Sequence, residues 1–235
     1  MDFLYISPEF PPYGRQFIQR LARHGVRVWA LGEADFYDMP EDLRKNLKWY
    51  VRADLKDLIA VRRAVEELLA AQTGLGQSPS IDRVESHNES WLRLEGYINA
   101  AFDVPGIRPE GLDRLKKKSE MKTVFRACGF PVAEGVIVDS IDHALSFART
   151  LGYPVILKPD EGVGAGGIYR VESPEELEAI VPTLPEIYML ERFMAAPIVT
   201  FDGLTDAAGH VLFENSLVYG DGVLEYVLGK DTFFY

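Results

Sequence analysis

The stretch Tyr153 to Val171, YPVILKPDEGVGAGGIYRV, constrains this chain more than any other. Val155-Ile156-Leu157 is a short apolar run of strand type, and Lys158 closes it. The chain then turns glycine-rich through Gly162, Gly164, Gly166 and Gly167, and Ile168 to Val171 reads as a returning strand. Glycines let backbone N–H groups approach phosphate oxygens closely, and an ammonium offsets their charge. The pattern suits a phosphate clamp; taken alone it equally fits a β-hairpin with a flexible turn and a surface lysine. Gly162, Gly164 and Gly167 satisfy G-x-G-x-x-G, but a dinucleotide fingerprint must open a helix. The β-branched and aromatic residues that follow favour a strand instead. The chain also contains no G-x-x-x-x-G-K-[ST], which excludes a P-loop.

The rest of the chain supplies a frame for this stretch. Its 235 residues suffice for one large domain or two small ones with real cores. A formal net charge of -11 argues against a general nucleic-acid or anionic-membrane partner, while leaving room for a local cationic pocket. One cysteine, Cys128, excludes an internal disulfide, and MDFLYISPEF lacks the basic start and long apolar core of a signal peptide. No run reaches the length of a membrane span. The expectation is a cytoplasmic protein.

Strands are expected at Phe3–Ile6, Val26–Leu31, Trp49–Val51 and Ile81–Ser86, alternating with helical stripes at Phe17–Ala22 and Leu58–Leu69. That alternation implies βαβ units and a parallel sheet. Ligands gather at the carboxyl ends of such strands, which makes Glu85, His87 and Glu89 candidate substrate-side residues. A helix cap at Ser86 or Asn88 accounts for the same letters more simply.

Beyond Val104-Pro105-Gly106 and Pro109-Glu110-Gly111 the character changes. Met121, Val124, Phe125 and Cys128 form a helical stripe closed by Gly129, so Cys128 is expected to be a core thiol. A strand at Val136–Val138 and a helix at Ile141–Leu151 follow. Ser173-Pro174-Glu175-Glu176 is a helix start. Ile187–Leu190, Val211–Phe213 and Ser216–Val218 are expected strands.

In this order the chain resembles the ATP-grasp superfamily. The resemblance covers most of the chain and rests on Lys118-Ser-Glu-Met-Lys122 with Ala127-Cys-Gly-Phe-Pro131, on Gly152 to Lys158, on the loop Glu161 to Gly167, and on Leu190 to Met194. It implies an α/β and α+β architecture. A Rossmann-like pre-ATP-grasp domain would occupy residues 1–108, a small lobe with a glycine-rich lid 109–185, and the start of a second lobe 186–235.

It further implies that Lys118 and Lys158 contact the α- and β-phosphates of ATP, and that Glu161, Gly164, Gly166 and Gly167 cover them. Glu191 would be the hinge acid facing adenine or ribose, with Arg192, Phe193 and Met194 as backbone and apolar wall. The implied reaction is ATP-dependent ligation of a small-molecule carboxylate to an amine through an acylphosphate. No protein nucleophile is recognisable, so no catalytic residue is assigned. Mg²⁺ is implied, with ligands expected beyond Tyr235. The chain is accordingly expected to be truncated, inactive as it stands, and able to form a homodimer through an exposed sheet edge.

Overall fold

The computed structural model describes residues 1–162 and 166–219. Within them the chain divides into two compact units, Met1–Asp113 and Arg114 onward. In the first, β1 (Asp2–Ile6), β2 (Arg27–Gly32), β3 (Trp49–Arg52) and β4 (Arg83–Glu85) form a parallel sheet in the order β3-β2-β1-β4. The helices are α1 (Gly14–Arg23), the one-turn α2 (Glu41–Arg44), α3 (Leu58–Gly74) and α4 (Leu92–Ala101).

Strands this apolar need cover on both faces. Leu4, Ile6, Trp29 and Leu31 pack with Val61, Val65 and Leu68 of α3 and Ile98 of α4. Phe3, Tyr5, Val28 and Ala30 pack against Ile18 of α1 and Leu43 of α2. The expected βαβ alternation is therefore what forms. The carboxyl ends of β1 and β4 lie side by side, since the two strands pair in parallel.

The one-turn α5 (Asp113–Lys116) begins at the last residue of the first unit, and α6 (Lys118–Ala127) follows in the second unit. Its four-stranded sheet has the order β5-β8-β6-β7, built from β5 (Gly135–Ile137), β6 (Val155–Pro159), β7 (Tyr169–Val171) and β8 (Tyr188–Arg192). All three pairings are antiparallel. One face packs on α7 (Ile141–Leu151) and α8 (Pro174–Ile180), burying Val155, Leu157, Val171, Tyr188 and Leu190 against Ala144, Leu145, Ala148 and Leu177. β8 is a central strand of this sheet, although it falls beyond the boundary expected at residue 185.

The β6–β7 hairpin around the glycines is present as expected. Gly167 has φ +73, and a Cβ there would stand 2.6 Å from the Tyr188 hydroxyl, so both backbone and space require glycine. Gly164 lies outside the described residues.

Two expectations are overturned. Cys128 is exposed, and no residue of α6 is buried. Periodicity marked an apolar stripe on α6 correctly, but a stripe does not specify a partner, and Val124 and Phe125 face solvent. The chain also forms a strand where none was expected. β9 (Asp202–Thr205) pairs with β10 (Val211–Asn215), although Asp and Gly are poor strand formers. Of Ser216–Val218 only an isolated bridge from Val218 to Val199 forms.

Candidate functional site

Pleating puts alternate residues of β6 and β8 on opposite faces. With Val155, Leu157 and Leu190 turned into the core, Ile156, Lys158, Met189 and Glu191 occupy the other face. Glu191 is 8% exposed and lies between two ammonium groups. Lys158 Nζ donates to its Oε1, and Lys122 Nζ stands 2.8 Å from its Oε2. Lys122 also donates to the Ala133 carbonyl at 2.8 Å. Facing Glu191 across the strand pair is Gly135, where a Cβ would meet the Glu191 Cβ at 3.0 Å. The missing side chain gives the carboxylate its room. Among the described residues, two cations around one acid leave a surplus positive charge on a half-covered face, a donor set that fits phosphate oxygens.

Lys118 sits elsewhere. It opens α6, and its Nζ lies 3.4 Å from the carbonyls of Asp160 and Gly162. The structure thus brings Lys122, rather than Lys118, to Lys158 and Glu191, and places Lys118 at the root of the glycine loop.

That root is pinned. Asp160, buried at the end of β6, accepts from the Ser119 N–H at 2.8 Å and from its hydroxyl at 2.9 Å. Its backbone carbonyl accepts from the Lys118 N–H at 2.9 Å. A carboxylate from another element therefore caps α6 and satisfies donors that a helix start leaves open. Glu161 forms a bridge with Lys117 and lies 3.9 Å from the buried Lys116 ammonium. Lys122 and Asp160 escaped the sequence reading of the site. Their spacing within a basic run and a turn carries no signal, because both act through non-local contacts.

The residues after Glu191 diverge in role. Arg192 donates to Glu134 Oε2 at 2.7 Å and to the Leu151 carbonyl at 3.1 Å, so its guanidinium braces the far end of the sheet. Phe193 lies under Arg170, whose Cζ is 4.4 Å from the ring centroid. Met194 is exposed. Gly166 and Gly167 form the turn leading into β7.

In the first unit Glu85, His87 and Glu89 have separate surroundings. Glu85 faces Arg83 at 3.5 Å, and burial raises its carboxyl above the usual range. His87, at φ +51, has Nδ1 3.0 Å from the Tyr5 hydroxyl and its ring stacked on Phe17 at 4.1 Å. Burial lowers its pKa. Glu89 is exposed. Sequence reading missed Glu95, 2% exposed, which accepts from the Ser86 N–H at 2.7 Å and from the Ser86 hydroxyl. Burial pushes its carboxyl up to about 7, with the Glu85 charge adding to the rise and the Ser86 hydrogen bonds opposing it.

Among the described residues no group of three or more His, Cys, Asp or Glu is gathered as a metal site. The acids among the described residues do not fit a magnesium ion. Among the same residues no helix is long and apolar enough to cross a membrane.

Comparison with known families matches residues 114–189 to the carbamoyl-phosphate synthase L chain, ATP binding domain. The carbamoyl phosphate synthase large chain of Caldanaerobacter subterraneus subsp. tengcongensis is 34% identical over 232 residues, 96% of this chain and 19% of that protein. Among solved structures, the N5-carboxyaminoimidazole synthetase from Staphylococcus aureus complexed with ADP superposes with a TM-score of 0.74 at 16% identity, over 95% of this chain and 56% of that one. The L-amino acid ligase from Bacillus licheniformis superposes with a TM-score of 0.68 at 19% identity, over 94% and 51%. The chain thus spans about half the length of these solved relatives and a fifth of the synthase. The family match over the segment that holds Lys118, Lys122 and Lys158, with 34% identity to the synthase over 96% of this chain, establishes that this chain belongs to the ATP-grasp superfamily.

Proposed function

We propose that this chain binds ATP on the open face of the β5-β8-β6-β7 sheet and serves an ATP-dependent ligase that joins a carboxylate to an amine through an acylphosphate. The observation that carries the reading is the Lys122–Glu191–Lys158 cluster, at the mouth of a glycine loop rooted beside Lys118. Phosphoryl transfer needs little covalent help from protein; it needs positioning and charge neutralisation. Lys158 and Lys122 supply the charge, and Glu191 holds both ammonium groups in place when phosphate is absent. Lys118 stands ready at the loop root, where Glu161, Gly164, Gly166 and Gly167 would follow the phosphates. The segment Arg192 to Met194 offers the base its backbone edge and an apolar wall. ATP supplies the activating phosphoryl group when bound.

The acceptor substrates belong at the carboxyl ends of β1 and β4, near Glu85, His87 and Glu89. The support is general: a parallel sheet exposes its free backbone groups there, and buried ionisable groups with displaced pKa values gather there. Relatives named as ligases and synthetases favour the same reaction class.

The test is release of inorganic phosphate from Mg·ATP by the intact protein across a panel of carboxylates and amines. Release that requires both partners is the expected result. Nucleotide binding without release for any pair would make this a nucleotide-binding protein without turnover.

A further inference from the structure

The open sheet face carries one charged group that the lysine cluster does not use. The register pairs Arg170 of β7 with Ile156 of β6, and Ile156 with Glu191 of β8. Directly paired residues share a face, so Arg170 and Ile156 stand on the face that bears Lys158. They lie two residues back along β6 from Lys158, roughly 7 Å further from the glycine loop. Phe193, just past the end of β8, presents its half-buried ring to the Arg170 guanidinium at 4.4 Å. Glu172 holds the Arg170 Nε at 2.8 Å, yet the side chain keeps 42% of its surface exposed.

A guanidinium held against a ring and a carboxylate has lost much of the freedom of a surface arginine, and it presents a planar cation to solvent. We propose that Arg170, seated on Phe193, is the stacking surface for the base of the bound nucleotide, and so a specificity-determining residue of this site. The inference rests on the nucleotide reading of the face and gives that reading a direction. A triphosphate at Lys158 and the loop leaves the sugar and base running back along β6, over Ile156, towards Arg170. Guanidinium planes stack on bases as aromatic rings do, and the cation complements the base's π-face. Ile156 supplies the apolar floor beside it. If Arg170 served only to stiffen the β6–β7 end, its loss would not distinguish ligands with a base from ligands without one.

The experiment titrates ATP and inorganic tripolyphosphate by calorimetry into the intact protein and its Arg170→Ala variant. Arg170→Gln, which keeps most of the stem and no cation, is the second variant should alanine compromise folding. The expected result is a Kd for ATP raised about tenfold, with the Kd for tripolyphosphate unchanged. Equal weakening of both ligands, or no change in either, would overturn the proposal and leave nucleotide binding standing. Wild-type protein that binds neither ligand would overturn the nucleotide reading, and this inference with it.

Discussion

Glu191 shows how one side chain can organise a site. A carboxylate 8% exposed is tolerable only with counter-charges, and Lys122 and Lys158 provide two. Removing one member of such a group leaves the others buried and uncompensated. Glu191→Ala should cost on the order of 3 kcal/mol in urea unfolding, and a Lys122→Met, Glu191→Gln cycle should return a coupling above about 1 kcal/mol. Independent, additive losses would show that the pairs are incidental. Glu95 gives a second prediction. Folded, it keeps its proton to about pH 7, whereas the unfolded chain releases it near the ordinary 4.5. The native state therefore binds more protons between these values, and stability from this group falls as pH rises through that window. Glu95→Gln, which can still accept from Ser86, should remove that part of the decline in a Tm–pH profile; an unchanged slope would contradict it. The places of Lys158 and Glu191 were legible in the sequence because each falls near the end of a short apolar strand. Lys122, Asp160 and Glu95 were not, since their meaning depends on partners 41 to 69 positions away for the first two and on burial for the third. Lys122 meets Glu191 only through the fold.

At the scale of elements, α6 is held by its start rather than by its stripe. Asp160, just past the end of β6, caps it with two side-chain hydrogen bonds. Asp160→Ala should destabilise the second unit by about 1–2 kcal/mol and speed amide exchange at Ser119 above all. Protection at Ser119 that does not change would mean the cap is not formed in solution. The exposed end of the same helix predicts that Cys128 reacts with a thiol reagent in the native protein, without denaturant; a thiol that reacts only after unfolding would restore the buried reading. Periodic segments with clear stops, such as α7 before Gly152 and α8 after Ser173, were readable because their caps and stripes are local. The burial of α6 and the existence of β9 were not, because both depend on what lies opposite rather than on the segment's own letters.

At the scale of the whole molecule, an acidic chain carries a basic face where a phosphate would lie. The parallel sheet of Met1–Asp113 and the antiparallel sheet that follows were legible as classes, from strand and helix alternation and from the glycine hairpin. The central place of β8 was not, because sequence order gives no register. The proposed function stands or falls on whether the Lys122–Glu191–Lys158 face receives a triphosphate. Calorimetry of Mg·ATP with the intact protein and its Lys158→Ala variant tests it most directly. The expected result is measurable binding that weakens about tenfold or more in the variant, with folding retained; equal affinity in the two proteins would contradict the proposed function.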